Sequence, residues 1–385
     1  MTLFKKKVLY TTYFSITCVV TFFILSLCYR LLLPFGDEPD FTVRAPDLLN
    51  GTYPFWSPYS LMHLFYDSFN MQSHCRVEGS PLTLSAQIDL SSCKEPIEQI
   101  FGRWILLLIV TLPLIICCLM RFKNKHGHSY SKDALVLSIT FPGVVYYLGV
   151  FSHEQFSLVL SLLLIITWQY KIITLVLCSL IMAIDLGNSV VVIFFVSLMF
   201  FYSYVSRVYS VKTSIYIMLA QVLLCLFLGH EILSFTSGIS LLESKSVAMY
   251  ELLDSSGLAE KYPVILRPII TFMSFVFYTP SFIKVPVVYA FSILGFAYLI
   301  RKLVLKMKVS NDVILEKHYL YMMVSLSSIL SFVFMFPNYS NAKYYIFLLP
   351  FIFQFLLHAI DAKKLLLFCL ILNKLVLLHL IFYSL

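Results

Sequence analysis

The sequence predicts an all-α, polytopic membrane protein with about eleven transmembrane helices, within a range of about 10–12. Of its 385 residues, 60% are hydrophobic and only 12% are charged, and the mean hydropathy is +0.87. A soluble core of this size cannot bury that much apolar surface, so lipid must be part of the solvent. The apolar runs also lack the alternation of barrel strands, and helices satisfy their own backbone hydrogen bonds in hydrocarbon.

Eleven apolar runs are predicted to cross the hydrocarbon layer, which is about 30 Å thick. The first run follows Lys5-Lys6-Lys7 and is too long for the apolar part of a signal peptide, so we predict a retained first helix. The predicted spans are 9–33, 104–120, 134–150, 155–170, 172–187, 190–206, 213–231, 285–300, 319–336, 344–360 and 365–384.

The basic residues predict the orientation of these spans. With a cytosolic N-terminus, the even-numbered connections are rich in Lys and Arg, as the positive-inside rule requires. Those residues are Arg121, Lys123, Lys125 and Lys132; Lys171; Arg207 and Lys212; Arg301, Lys302, Lys306 and Lys308; and Lys363 with Lys364. The net charge of +8 therefore indicates membrane topology, and we expect no nucleic-acid partner. Because the chain is compact and its loops are short, we expect the inner membrane of a bacterium.

Two of the odd-numbered connections, predicted to be external, are large. The first covers 34–103, is rich in proline and aromatic residues, and is predicted to form short helices on the membrane surface. The second covers 232–284 and includes an apolar segment cut by Pro268 and Pro280, which we interpret as re-entrant or interfacial. No internal repeat or soluble domain is visible, so 1–385 is predicted to be a single membrane domain.

Acidic residues mark three external helix ends in the predicted topology. They lie after the first span, in the short turn between the third and fourth spans, and at the end of the fifth span. The residues concerned are Asp37, Glu38 and Asp40; Glu154, which follows His153; and Asp185. Anionic groups at the edge of the hydrocarbon are costly unless they are exposed or have partners. We therefore expect them to meet in one cavity.

Carboxylates gathered at one depth suit a particular chemistry. One can act as general base on a hydroxyl, while others hold a divalent cation such as Mg²⁺ or Mn²⁺ or order a phosphate. The simpler interpretation is a solvated loop for Asp37 and helix-end positions for Glu154 and Asp185. Glu154 would also be favoured by the dipole of the helix that it begins. Both interpretations stay open at this point.

The acidic pattern resembles the GT-C superfamily of membrane glycosyltransferases. The run Gly36-Asp37-Glu38-Pro39-Asp40-Phe41 is similar to the acidic opening of the first external loop in several bacterial members. The resemblance implies that Asp37 is the catalytic base and that Glu38 assists it. It also implies a second site at Glu154 and His153. If the carboxylates bind Mg²⁺ or Mn²⁺, the predicted ligands are Asp37 and Glu154. The implied donor is a sugar carried on a polyprenyl phosphate or diphosphate.

The phosphate of such a donor needs a cation on the same side of the membrane. Lys343 lies in a polar, Tyr-rich external turn and is the first candidate, although a Tyr/Lys anchor at the interface is an alternative. Arg267, in the predicted re-entrant segment, is the second candidate. The predicted substrate- and phosphate-binding residues are Lys343, Arg267, Tyr344, Tyr345, His153, Asp185 and Asp40.

The sequence thus predicts a membrane glycosyltransferase that works on the external, periplasmic face. It would move a sugar from a polyprenyl-phosphate carrier to a surface glycan or a lipid-linked acceptor, in polysaccharide or lipopolysaccharide biosynthesis. Two alternatives stay open. A polymerase of O-antigen or capsular polysaccharide would use a large late loop, and the 232–284 loop fits in size but has only one arginine. A transporter or flippase of lipid-linked sugars would have charged or broken helices at the bilayer midplane.

Overall fold

The computed structural model describes most of the apolar runs and leaves out long stretches between them. The described residues are 2–32, 61–62, 64–65, 77–78, 87–88, 97–120, 128–168, 170–237, 264–269, 271, 290, 293–295, 297–299, 301–302, 305, 313–335 and 342–384.

Most of these residues are helical, and the described strands are one very short antiparallel pair, β1 (Val77–Glu78) and β2 (Gln87–Ile88), inside the predicted first loop. The α-helices are α1 (Thr2–Leu32), α2 (Ile97–Leu119), α3 (His128–Ser138), α4 (Pro142–Gly149), α5 (His153–Thr167), α6 (Lys171–Ile184), α7 (Leu186–Val208), α8 (Val211–Ser237), α9 (Val313–Met335), α10 (Leu349–Leu356) and α11 (Ala362–Ser384). Short 3-10 turns occur at Val264–Leu266, Ala342–Tyr344 and Ile346–Leu348.

Among the described residues, four helices are long and apolar enough to cross a membrane. They contain the segments Thr12–Leu32, Phe101–Leu119, Ser189–Val208 and Ala362–Ile381. Large apolar side chains on α6 and α8, such as Ile172 and Phe227, are exposed on the protein surface, as lipid-facing side chains would be. The structure is therefore compatible with a membrane-embedded helical protein. The number of eleven spans, the identity of the membrane and the orientation stay predictions.

Two predicted spans are short in the structure. Helices α5 and α6 contain 15 and 14 residues, which correspond to about 21–23 Å at 1.5 Å per residue. This is less than the thickness of the hydrocarbon layer. The run 344–360, predicted as one helix, also differs, because it contains two 3-10 turns and the eight-residue α10.

The run 134–150, predicted as one span, is broken into α3 and α4. Pro142 has no N–H to donate to the preceding turn, and it forces the residue before it out of the helical region. Phe141 accordingly is extended, with φ −78° and ψ 137°. The prediction of a continuous helix here was wrong because the apolar pattern continues unbroken across the proline.

The chain divides into two compact units, which we describe separately. The first unit contains Met1–Ser189 and Cys369–Leu385, and the second contains Val190–Phe368. In the first unit, a buried amide on α11 closes the break between α3 and α4. Asn373 donates through Nδ2 to the carbonyl of Thr140 at 2.7 Å, and its Oδ1 accepts from the hydroxyl of Tyr29 on α1 at 3.0 Å. Three helical segments are thus joined at one point.

In the second unit, α8 and α9 approach each other closely at Gly229. A Cβ atom at this position would meet Met335 Cα at 3.1 Å and the carbonyl oxygen of Phe334 at 3.2 Å. Gln221 connects the same pair of helices, because its Nε2 donates to Ser331 Oγ at 3.1 Å. Close backbone contact at a small residue is a common way for helices to associate in lipid.

The substitution Gly229→Leu should therefore destabilise the second unit by about 2–3 kcal/mol, because the new side chain meets backbone atoms that cannot rotate away. The measurement is thermal unfolding of the purified protein in detergent. Ala220→Leu is the matched control, because Ala220 is exposed on the same helix. Equal unfolding temperatures for the two variants would contradict the close approach.

Candidate functional site

The structure brings together three of the predicted site residues in the first unit, namely His153, Glu154 and Asp185. One ligand atom from each lies within 4.8 Å of the others, and all three side chains are partly buried. The first-loop acids Asp37, Glu38 and Asp40 lie outside the described residues. Arg267, Lys343, Tyr344 and Tyr345 belong to the second unit.

A capped helix start fixes His153 and Glu154. Ser152 is extended, and its side chain accepts a hydrogen bond from the backbone N–H of Glu154 at 3.2 Å. This is the ordinary N-cap of a helix, and it makes His153 the first residue of α5. The carboxylate of Glu154 lies in the first turn, where the helix dipole favours negative charge. Buried Gln155 donates to the carbonyl of Leu148 and so ties this start to the end of α4.

Arg30 holds the same turn from the other side. Its side chain is only 6% exposed, and it donates to the carbonyl of Gly149 at 3.0 Å. Its guanidinium also lies over the ring of Phe151, 4.8 Å from the centroid. Arg30 was missed in the sequence because it lies within an apolar run, and its hydrogen-bond partner is 119 positions further along the chain. A cation in the last turn of α1 was the available signal.

Asp185 reaches the cluster from the junction between α6 and α7. Its Oδ1 accepts from the N–H of Gly187 at 2.9 Å, and its backbone carbonyl accepts from Ser189 at 3.0 Å, so it caps the start of α7. Its Oδ2 lies 3.7 Å from Nε2 of His153. Asp185 therefore combines a capping role with a place in the cluster.

The three side chains are types that bind divalent metal ions. Donor atoms on one cation at about 2.0–2.2 Å lie at most about 4.4 Å apart, so the 4.8 Å cluster would have to contract by a few tenths of an ångström. Carboxylates suit Mg²⁺ and Mn²⁺, whereas an imidazole ligand suits transition metals better. The donor set thus fits Mn²⁺ better than Mg²⁺. Within the described part of the chain, no other group of three such side chains is this close.

The residues of the predicted phosphate-binding turn differ in their exposure. Lys343 and Tyr344 are partly exposed, and the Lys343 ammonium lies 5.4 Å from the centre of the Tyr344 ring. This cation–π contact is compatible with an interfacial anchor and with a head-group site. Tyr345 is fully buried, so its position favours a core role over ligand contact.

Arg267 lies in a short helical turn and is buried. Its NH1 donates to the carbonyl of Phe334, in the last turn of α9, at 3.4 Å. Its own carbonyl accepts from the hydroxyl of Thr271 at 3.0 Å, which fixes the backbone of the turn.

Comparisons of the chain with protein-family models, with curated proteins and with solved structures found no match, so the likeness to GT-C enzymes stands on the residues quoted above.

Proposed function

We propose that the protein is a membrane glycosyltransferase that moves a sugar from a polyprenyl-phosphate carrier to a surface glycan or lipid-linked acceptor. The observation that carries the proposal is the convergence of His153, Glu154 and Asp185 at helix ends of a chain that contains apolar helices long enough to span a membrane. Placed at the edge of the hydrocarbon, such a cluster would suit a reaction between a lipid-borne phosphate ester and a hydroxyl.

The proposed reaction is displacement at the anomeric carbon. Asp37 takes the proton of the acceptor hydroxyl, whose oxygen forms the new glycosidic bond. The bond between the anomeric carbon and the phosphate oxygen breaks, and the carrier phosphate leaves with the electron pair. Positive charge beside that phosphate stabilises it as it leaves.

His153, Glu154 and Asp185 are the residues that would hold a divalent cation, Mn²⁺ in preference to Mg²⁺. When bound, the cation would supply positive charge next to the phosphate of the donor. In this arrangement Glu154 and Asp185 provide negative charge, while Ser152 and the helix start keep Glu154 in place. Asp37 is assigned as the base on the resemblance alone. The sequence also predicted Asp37 as a metal ligand, but the three clustered side chains supply a ligand set without it.

The substitution Asp37→Asn tests the proposal directly. The variant should lose at least about 100-fold of sugar transfer, because the amide cannot accept the proton, while the unfolding temperature stays unchanged. The assay uses membranes or purified protein with radiolabelled polyprenyl-phosphate sugars and follows label in the acceptor glycan. Asp361→Asn is the control, because Asp361 is exposed just before α11. Undiminished transfer by a folded Asp37→Asn variant would exclude Asp37 as base.

A transporter of lipid-linked sugars is the second candidate, and the break between α3 and α4 is the observation that favours it. Transporters use interrupted helices whose free backbone groups bind substrates or ions. Here the Thr140 carbonyl at the break accepts from Asn373. Because this carbonyl already has a hydrogen-bond donor within the protein, it is not free to bind a substrate. We therefore rank the transporter below the transferase. Movement of labelled carrier across proteoliposomes without any bond exchange would reverse that order.

A further inference from the structure

Arg267 sits in an apolar turn with its charge facing inward. The side chain is only 8% exposed, whereas Ile265, two residues earlier, is 71% exposed. Leu266 and Ile269 are exposed as well. Apolar side chains on the outside of such a turn are stable in contact with hydrocarbon, so the turn has the character of a membrane-facing segment.

The buried guanidinium has little to compensate its charge. Among the residues that the structure describes, its one hydrogen-bond acceptor is the Phe334 carbonyl at 3.4 Å, and it forms no ion pair with any of them. Burial lowers the pKa of Arg267. Arginine nevertheless keeps its charge, and a buried charge without a partner costs several kcal/mol.

The hydrogen bond from Arg267 to α9 is too weak to compensate the buried charge. A distance of 3.4 Å is beyond the usual 2.7–3.2 Å of an N–H···O bond. The carbonyls at a helix C-terminus together carry about half a negative charge, and the guanidinium has five donors. An anion is the partner that would satisfy the remaining donors.

We propose that Arg267 binds the phosphate group of an anionic membrane lipid, where the 264–269 turn meets the C-terminal end of α9. The exposed apolar side chains of the turn would contact the acyl or prenyl chain, while the guanidinium holds the phosphate through paired N–H···O bonds. Phospholipids and polyprenyl phosphates share this chemistry. The site lies within the second unit and does not depend on the proposed transferase activity.

The test is lipid binding by the full-length protein in a neutral detergent, followed by native mass spectrometry and by the unfolding temperature. The probes are phosphatidylglycerol, undecaprenyl phosphate, undecaprenol and inorganic phosphate. We expect both phosphate-bearing lipids to bind and to raise the unfolding temperature, and the two others to do neither. Arg267→Gln should weaken lipid binding at least about 10-fold, and Arg267→Lys should weaken it less, because lysine keeps the charge but loses the paired bonds.

The matched control is Arg207→Gln, which removes an exposed arginine from α7 in the same unit. It should bind the lipids as the parent protein does. Higher affinity for undecaprenyl phosphate than for phosphatidylglycerol would identify the carrier as the ligand, and the reverse would identify a phospholipid. Equal lipid binding by Arg267→Gln and the parent, no lipid binding by the parent, or an equal effect of inorganic phosphate would each overturn the proposal. If Arg267→Gln does not fold, unweakened binding by Arg267→Lys has the same consequence.

Discussion

Glu154→Gln should reduce sugar transfer at least about 100-fold and weaken Mn²⁺ binding by about 10- to 100-fold. Glutamine keeps the shape of the side chain but removes the negative charge that Glu154 contributes beside His153 and Asp185. Two neutral ligands and one carboxylate hold a divalent cation less tightly than the native set. Transfer is measured with the radiolabelled carrier, and Mn²⁺ binding by the paramagnetic resonance signal of the free ion.

The helix-end interpretation of Glu154 predicts a different pattern. If the carboxylate serves only the dipole of α5, its removal costs about 0.3–1 kcal/mol of stability and changes neither transfer nor metal binding. Glu231→Gln is the control, because Glu231 is an exposed glutamate on α8. Unchanged Mn²⁺ affinity in Glu154→Gln would exclude Glu154 as a metal ligand, even if sugar transfer falls. Unchanged transfer would remove Glu154 from the site.

The metal experiment also separates the two parts of the proposed function. Asp185 can be tested in the same way, but Asp185→Asn keeps the oxygen that caps α7, so the helix start should survive. If both variants lose Mn²⁺ while the parent protein transfers no sugar, the cluster is a metal site in a protein of another function. If the parent transfers sugar without any metal, the cluster orders the substrate through its own charges.

Much of the candidate site could be predicted because topology alone limits where helix ends can meet. Short turns before α5 and α7 place His153, Glu154 and Asp185 near the same end of neighbouring helices, and the structure brings them together. Arg30 could not be found in this way. Its contacts with Gly149 and Phe151 depend on how α1 packs against α4, which the pattern of apolar residues does not encode.

The fold was predictable in its class and less so in its details. High apolarity is enough to predict membrane helices, whereas the length of each helix depends on turns that apolar residues do not mark. Helices α5 and α6 are joined by a turn near Trp168 and Tyr170. Both residues are apolar enough that the sequence prediction included them in the span 155–170. Pro142 was a signal for the break, because proline ends or bends helices. Prolines are also tolerated in membrane spans, however, and a break needs a hydrogen-bond donor for the carbonyl that it frees, here that of Thr140.

That partner is Asn373, and replacing it should cost the first unit about 2 kcal/mol. Asn373→Leu keeps the branched shape of the side chain but removes the donor to the Thr140 carbonyl and the acceptor for Tyr29. Among the described residues, no backbone N–H donates to the Thr140 carbonyl, so the substitution would leave it unsatisfied in a buried, apolar place. Single hydrogen bonds between membrane helices contribute about 0.6 kcal/mol on average, so the unsatisfied carbonyl should dominate the loss.

Tyr29→Phe separates the loss of a side-chain hydrogen bond from the loss of the donor to the Thr140 carbonyl. It removes the hydrogen bond between Tyr29 and Asn373 but leaves the bond from Asn373 to Thr140 in place. Its loss should be below about 1 kcal/mol, and the double variant should lose little more than Asn373→Leu alone, since both changes affect the same network. The measurement is unfolding in mixed micelles with increasing denaturing detergent, followed by helical circular dichroism. A loss in Asn373→Leu no larger than that in Tyr29→Phe would mean that the break needs no side chain to close it. Releasing the Thr140 carbonyl from Asn373 would then cost little, so that a ligand could compete for it, as the transporter alternative requires.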